Sequence, residues 1–179
     1  MENIFGNRFI IAPNFKIGLR TIKTALAVFL CLILQFILPM DRMNTFYAAI
    51  AAVVVMRETA GESFVIGMYR FLGTLIGGFI GFLLINLQPF IPYYNEGLYA
   101  LIIPIGVLIC IYFCVLINMD NAAVICCVVF LGIALDPALN VQHTLSYVLL
   151  RIFFTSVGII IATLLNKYFF PYKDSENGD

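Results

Sequence analysis

Charge is what this chain has least of. Of its 179 residues only 11% are Asp, Glu, Lys or Arg, against 63% apolar, and the mean hydropathy is +1.03. A water-soluble domain carries about a quarter charged residues, so this coat is too thin for one. The composition is that of an integral membrane protein. Ten basic residues balance ten acidic ones, which excludes the basic field that nucleic-acid binding requires. Histidine is almost lacking: His143 stands alone. With no zinc-spaced ligand set, nucleotide-binding glycine loop or recognisable carboxylate pair beside it, the chain does not read as an enzyme and implies no cofactor. The five cysteines, Cys31, Cys110, Cys114, Cys126 and Cys127, are odd in number and all lie in apolar runs, which argues against a disulfide framework. Cys110 and Cys114 are one helical turn apart, a metal-compatible spacing, but without histidine donors they read as small packing thiols.

What is present is a succession of continuous apolar runs. They cover 21–38, 45–56, 64–86, 98–117, 122–135 and 145–168, separated by the turn signals "PMDRMN", "RETAGES", "QPFIPYYNEG", "NMDN" and "DPALNVQ". Continuous rather than alternating runs point to helices and not barrel strands. The expected fold is therefore an all-α integral membrane protein with six transmembrane helices in residues 1–171 and a short cytoplasmic tail at 172–179. The first run leads into "ILPMDRMN", which has no small-x-small cleavage site, so it is expected to remain a membrane helix. With the N-terminus inside, Arg8, Lys16, Arg20, Lys23, Arg57, Arg70, Lys167 and Lys173 fall on or near the cytoplasmic side, and only Arg42 and Arg151 fall outside. That distribution predicts both termini in the cytoplasm and a multi-pass protein of the inner membrane. Tyr93, Tyr94 and Tyr99 read as an interfacial aromatic belt, and Pro104 as a kink in the fourth helix.

The second and fifth runs, ended by Arg57-Glu58 and Asp136-Pro137, are too short for about 30 Å of hydrocarbon. Short helices at matching places in two halves signal a 3+3 inverted repeat with its site at the repeat interface; the alternative is a helix that continues through its polar end into the headgroups. After each short run comes a longer one with the same pattern: Arg70, Thr74 and Gly77, then Arg151, Thr155 and Gly158. Offsets of four and seven put each trio on one helix face. A weaker echo, Arg20, Thr24 and Ala27, occurs in the first run.

An arginine at mid-helix costs about 2.5 to 3.5 kcal/mol on insertion scales. Three arrangements offset that cost: snorkelling to the nearer headgroups, an ion pair with Glu58, Glu62 or Asp136, or an anion path that the arginines line. The threonines and glycines on the same face leave room and favour the last, with Arg70, Arg151, Thr74 and Thr155 binding the anion. Glu58 and Asp136 are then candidate counter-ion or coupling groups. Lys16, Arg20 and Lys23 share a face at the start of the first helix, where they either gather anions in a cytoplasmic vestibule or meet anionic lipid headgroups. Gly73, Gly77 and Gly81 form two overlapping GxxxG steps, read as close helix packing, with dimer contact as the second reading.

The stretches "IGLRTIKTALAVFL" (17–30), "FYAAIAAVVVM" (46–56), "ETAGESFVIGMYRFLGTLIGG" (58–78) and "RIFFTSVGIIIATLLNKYFFP" (151–171) resemble the aromatic acid exporter and fusaric acid resistance superfamily. The 58–78 stretch is also similar to the plant aluminium-activated malate transporters, whose run falls here on Glu58, Thr59, Gly61, Ser63, Gly67, Arg70, Gly73 and Thr74. The resemblance implies a six-helix module that exports or conducts small organic anions, aromatic carboxylates in the bacterial case, as a homodimer or part of a larger membrane assembly. It also implies that Arg70 and Arg151 line the path. Two departures are notable. Where many relatives continue into a cytoplasmic domain or a second membrane half, only "YKDSENGD" follows Pro171, so a non-transporting membrane subunit with a separate soluble partner is the competing expectation. Where the plant relatives often carry lysine, this chain has Ile66.

Overall fold

The computed structural model describes residues 19–37, 42–90, 96–136 and 141–169. They form six α-helices: α1 (Leu19–Ile37), α2 (Arg42–Val55), α3 (Ala60–Leu87, followed by a 3-10 turn at Gln88–Phe90), α4 (Glu96–Leu116), α5 (Asp120–Ala134) and α6 (Val141–Tyr168). Each expected run is helical over its described residues, and each helix starts two to four residues earlier than its apolar run, while the ends fall within one residue of it. α3 starts at Ala60 because the Thr59 hydroxyl accepts the Glu62 backbone N–H at 3.2 Å, an N-cap that satisfies a donor left free by the first turn. α4 and α5 are joined by a tight turn at Asn118, whose φ of 55° is one that asparagine tolerates.

Four helical stretches, Arg20–Ile37, Ala60–Phe90, Gly97–Leu116 and Gln142–Tyr168, are long and apolar enough to cross a bilayer. α4 continues through Pro104. α2 and α5 have 14 and 15 residues. At 1.5 Å per residue they rise about 21 to 23 Å, short of the roughly 30 Å hydrocarbon layer. Large apolar side chains point outward, among them Phe29, Phe36, Phe79, Leu101 and Leu108. The interior is rich in small residues, including Ala27, Ala48, Ala51, Ala52, Cys110, Cys114 and Cys126, beside the larger Met56, Phe130 and Ile133 and the polar Thr74, Thr155, Arg151 and Asn166. That distribution suits a surface facing lipid and an interior held by close backbone approach.

The long helices α3 and α6 cross at the centre. α5 lies mainly on α3 and α2 mainly on α6; α4 then packs on α5 and α1 on α2. Glycines make the two seats. A Cβ at Gly73 would stand 2.7 Å from the Ala122 carbonyl oxygen, one at Gly77 would collide with the Cys126 carbonyl, and one at Gly81 would meet Ile133 at 3.0 Å. The whole Gly73–Gly77–Gly81 ladder is thus covered by α5 of the same chain. On the other side, Gly158 stands against the Ala48 carbonyl and Ala51 of α2.

Gly67 faces Ile159 and Gly78 faces Val148, so α3 and α6 run antiparallel, with the midpoint at Leu72–Gly73 and Phe153–Phe154. Arg70 and Arg151 lie on opposite sides of that midpoint, about 8 Å apart along the axis at 1.5 Å per residue, and within Coulombic reach of each other. One end of the bundle is tied by a polar knot. Asn166 Nδ2 reaches the Arg57 and Thr59 carbonyls and the Ser63 hydroxyl, each at 2.9 Å, while Asn166 Oδ1 accepts from Lys23 Nζ at 3.0 Å. Lys23 and Asn166 are 5% and 2% exposed, so the knot joins α1, α6 and the α2–α3 turn out of water. Residues 172–179, Lys16, Tyr93 and Tyr94 lie outside the described residues.

Candidate anion-binding site

A cavity of about 300 Å³ opens where the end of α2, the first half of α3 and the start of α5 meet. Its wall is Val54, Arg57, Ile66, Tyr69, Arg70, Asn121, Val124 and Ile125. The local fold fixes each cation. Arg57 follows the last turn of α2; its backbone N–H donates to Ser63 Oγ at 3.0 Å and its carbonyl accepts from Asn166. Arg70 is carried by α3 one turn after Ile66, and Asn121 stands in the first turn of α5, where free backbone N–H groups and the helix dipole favour negative charge.

The polar groups of this wall are two guanidiniums, a phenol and an amide; it contains no carboxylate. Arg57 Nε and Arg70 Nε are buried without a hydrogen-bond partner, and neither guanidinium forms an ion pair among the described residues. A buried donor left unpaired costs about 1 to 3 kcal/mol, more when charged. A carboxylate removes that cost, since its two oxygens match the Nε–Nη edge of a guanidinium with parallel hydrogen bonds. A larger groove of about 520 Å³ runs between α3 and α4, but its walls, including Leu75, Phe79, Ile105 and Phe130, are apolar throughout and offer nothing to an anion.

Arg151 is placed differently. It is 8% exposed, and its guanidinium carbon lies 4.4 Å from the centroid of the Tyr47 ring. Its Nη1 donates to Tyr147 Oη at 3.3 Å, and the two tyrosine hydroxyls bond each other. Gly132 of α5 closes the box: a Cβ there would stand 2.7 Å from Arg151 Nη1 and push the guanidinium aside. Asp136 lies within Coulombic reach of Tyr47.

The other expected residues fall as follows. Thr74 is buried and donates its hydroxyl proton to the Arg70 carbonyl at 2.8 Å, so it presents no donor to the cavity in this conformation. Thr155 is buried one turn beyond Arg151. Glu58 is exposed, as is Arg20, whose carbonyl accepts from Thr24. Lys23 turns inward to Asn166. Tyr99 belongs to α4 and ties its first turns to the end of α5 by donating to the Ala134 carbonyl at 2.7 Å. Arg57, Tyr69, Asn121, Tyr47, Tyr147 and Asn166 are residues that sequence reasoning left out of the site. Arg57 carried a signal, as a cation at the end of a helix too short to span. Tyr47, Tyr147 and Asn166 carried none, since only the crossing of α2 and α6 brings them together.

An apolar exterior, an interior rich in small residues and a cavity lined by two arginines near the helix crossing define a multi-helix membrane protein. The family model for aromatic acid exporter family member 1 matches residues 15–169, and the chain belongs to that family. A UPF0421 protein of Bacillus cereus is 28% identical over 157 residues, covering 87% of this chain and 40% of its own length. A UPF0421 protein of Bacillus thuringiensis is 28% identical over 156 residues, with the same coverage. The chain thus spans about two fifths of the length of the curated relatives it matches.

Proposed function

We propose that the protein exports small organic anions, aromatic carboxylates foremost, across the inner membrane, and that Arg57 and Arg70 form the receiving site at the cytoplasmic end. The carrying observation is a carboxylate-free cavity lined by Arg57 and Arg70, whose buried Nε–H groups have no acceptor among the described residues. The family assignment supports the substrate class. Arg151, on the far side of the helix crossing, continues the path, with Thr155 beside it; Glu58 and Asp136 mark its two ends as coupling groups.

In this reading all six helices cross the membrane, both termini are cytoplasmic, and the two triplets form an inverted repeat. Matching helix lengths support the repeat: 19, 14 and 28 residues in α1–α3, then 21, 15 and 28 in α4–α6. So does the reciprocal packing of each short helix on the long helix of the other triplet. The protomers associate as a homodimer or within a larger assembly.

The test is flux of labelled hydroxybenzoate into liposomes holding the purified protein under an imposed membrane potential. Arg57→Gln/Arg70→Gln protein is run beside the native form. Loss of hydrogen bonds to a charged group predicts about a 10- to 100-fold fall in flux. Folded native protein that gives no flux above empty liposomes, or a double variant that transports normally, overturns the reading.

A further inference from the structure

Two places in the molecule share one framework and differ in contents. Cys126 of α5 faces Gly77, and Ala48 of α2 faces Gly158. One residue before each stand Ile125 and Tyr47; six residues after Ala48 and Cys126 stand Val54 and Gly132. Four residues before Arg70 and Arg151 stand Ile66 and Tyr147. Val54, Ile66 and Ile125 line the cavity at Arg70, whereas Gly132, Tyr147 and Tyr47 touch Arg151. Val54, Ile66 and Ile125 of the open site thus have counterparts in the closed one, where tyrosines stand in place of the two isoleucines.

We propose that Arg151, Tyr47 and Tyr147 form a second site for the same aromatic carboxylates, and that the two phenols close it in this conformation. The proposal rests on the transport reading above. The tyrosines give Arg151 in weaker form what an aromatic carboxylate gives it: an acceptor oxygen at Tyr147 Oη and a ring face at Tyr47. An incoming carboxylate replaces the Tyr147 hydroxyl as acceptor with two charged oxygens, and its ring packs on the tyrosine rings, which already stand edge to face at 6.3 Å. What must break is the hydroxyl–hydroxyl bond between α2 and α6. Both tyrosines belong to the second turn of their helices, toward the end of the bundle opposite Arg57 and Asn121. A site open toward one end and closed toward the other is the form expected of a transporter loaded from one side.

Thr155→Cys places a thiol of similar size one turn deeper than Arg151 on the same face of α6. In nanodiscs, labelling by a bulky hydrophilic maleimide is compared with and without Tyr47→Phe and Tyr147→Phe, singly and together. The native chain serves as the blank for its own five cysteines. Both Phe changes keep the rings and remove only the hydroxyls. Loss of the one neutral hydrogen bond in Tyr47→Phe predicts labelling about five-fold faster, and Tyr147→Phe, which also removes the acceptor of Arg151, at least about ten-fold; hydroxybenzoate should slow it again. Unchanged labelling in all Phe variants overturns the closure; faster labelling that hydroxybenzoate does not slow overturns the second site. If labelling is faster and protected while the native protein gives no flux, the site stands and the transport reading fails.

Discussion

Arg70 in α3 and Arg151 in α6 stand at matching turns of two 28-residue helices, and their neighbours account for the difference between them. Arg151 has a ring under its charge, a hydroxyl at one nitrogen and a bare glycine beside it. Arg70 has an empty volume, a second arginine in the same wall and a buried Nε–H with no acceptor among the described residues. An intramembrane cation needs its desolvation offset from somewhere. Protein groups do it at Arg151; at Arg70 no such group is in place among the described residues, and in the proposed reading an anion supplies it. The same residue type in the same register thus has two surroundings: isoleucines at positions 66 and 125 beside Arg70, tyrosines at 147 and 47 against Arg151.

The strongest way to break the comparison is to make the open place resemble the closed one. Ile66→Tyr with Ile125→Tyr puts phenols where the cavity now is. Flux of hydroxybenzoate should fall at least about ten-fold, the loss expected when a charged donor is satisfied internally. Retained flux would mean the cavity is not on the path. A smaller effect separates the two arginines by stability. Arg151→Gln removes a desolvated cation–π contact and a hydrogen bond, and should destabilise the protein by about 2 to 3 kcal/mol. Arg70→Gln removes an unpaired buried charge and should leave thermal unfolding in detergent unchanged or shift it upward. Equal losses in the two variants would erase the distinction. The smallest effect concerns Lys23. Lys23→Met leaves Asn166 Oδ1 without its donor, a loss of about 1 kcal/mol. The concentration dependence of flux should stay native, whereas a vestibule lysine would raise the half-saturating concentration.

The helices and the paired arginines were legible because they follow from continuous apolar runs and from charges that interrupt them. The Gly73–Gly77–Gly81 ladder was legible as a packing surface because backbone approach needs small residues at four-residue spacing; that α5 covers it required the crossing. Much of the Glu58–Gly78 stretch has a structural account: Thr59 caps α3, Ser63 holds Arg57 and Asn166, Gly67 admits Ile159, and Gly73 seats α5. The inward turn of Lys23 could not be read locally, since its partner Asn166 lies 143 residues away. Nor could the difference between Arg70 and Arg151, because Tyr47 is on another helix and looks like any aromatic near a membrane surface.

The reciprocal placing of the short helices also sets an order of manufacture. α5 leaves the ribosome after α3, the helix it lies on, has already been made. α2 leaves it before α6 exists, and α2 is too short to stand across a bilayer by itself. Its glycine seat at Gly158 comes more than a hundred residues later. At a synthesis rate of about 5 to 20 residues per second, α2 waits roughly several seconds to tens of seconds, with α1 and then α3 as its only shelter. The C-terminal helix thus completes the N-terminal half, so a chain interrupted after α5 loses more than the helix it never made.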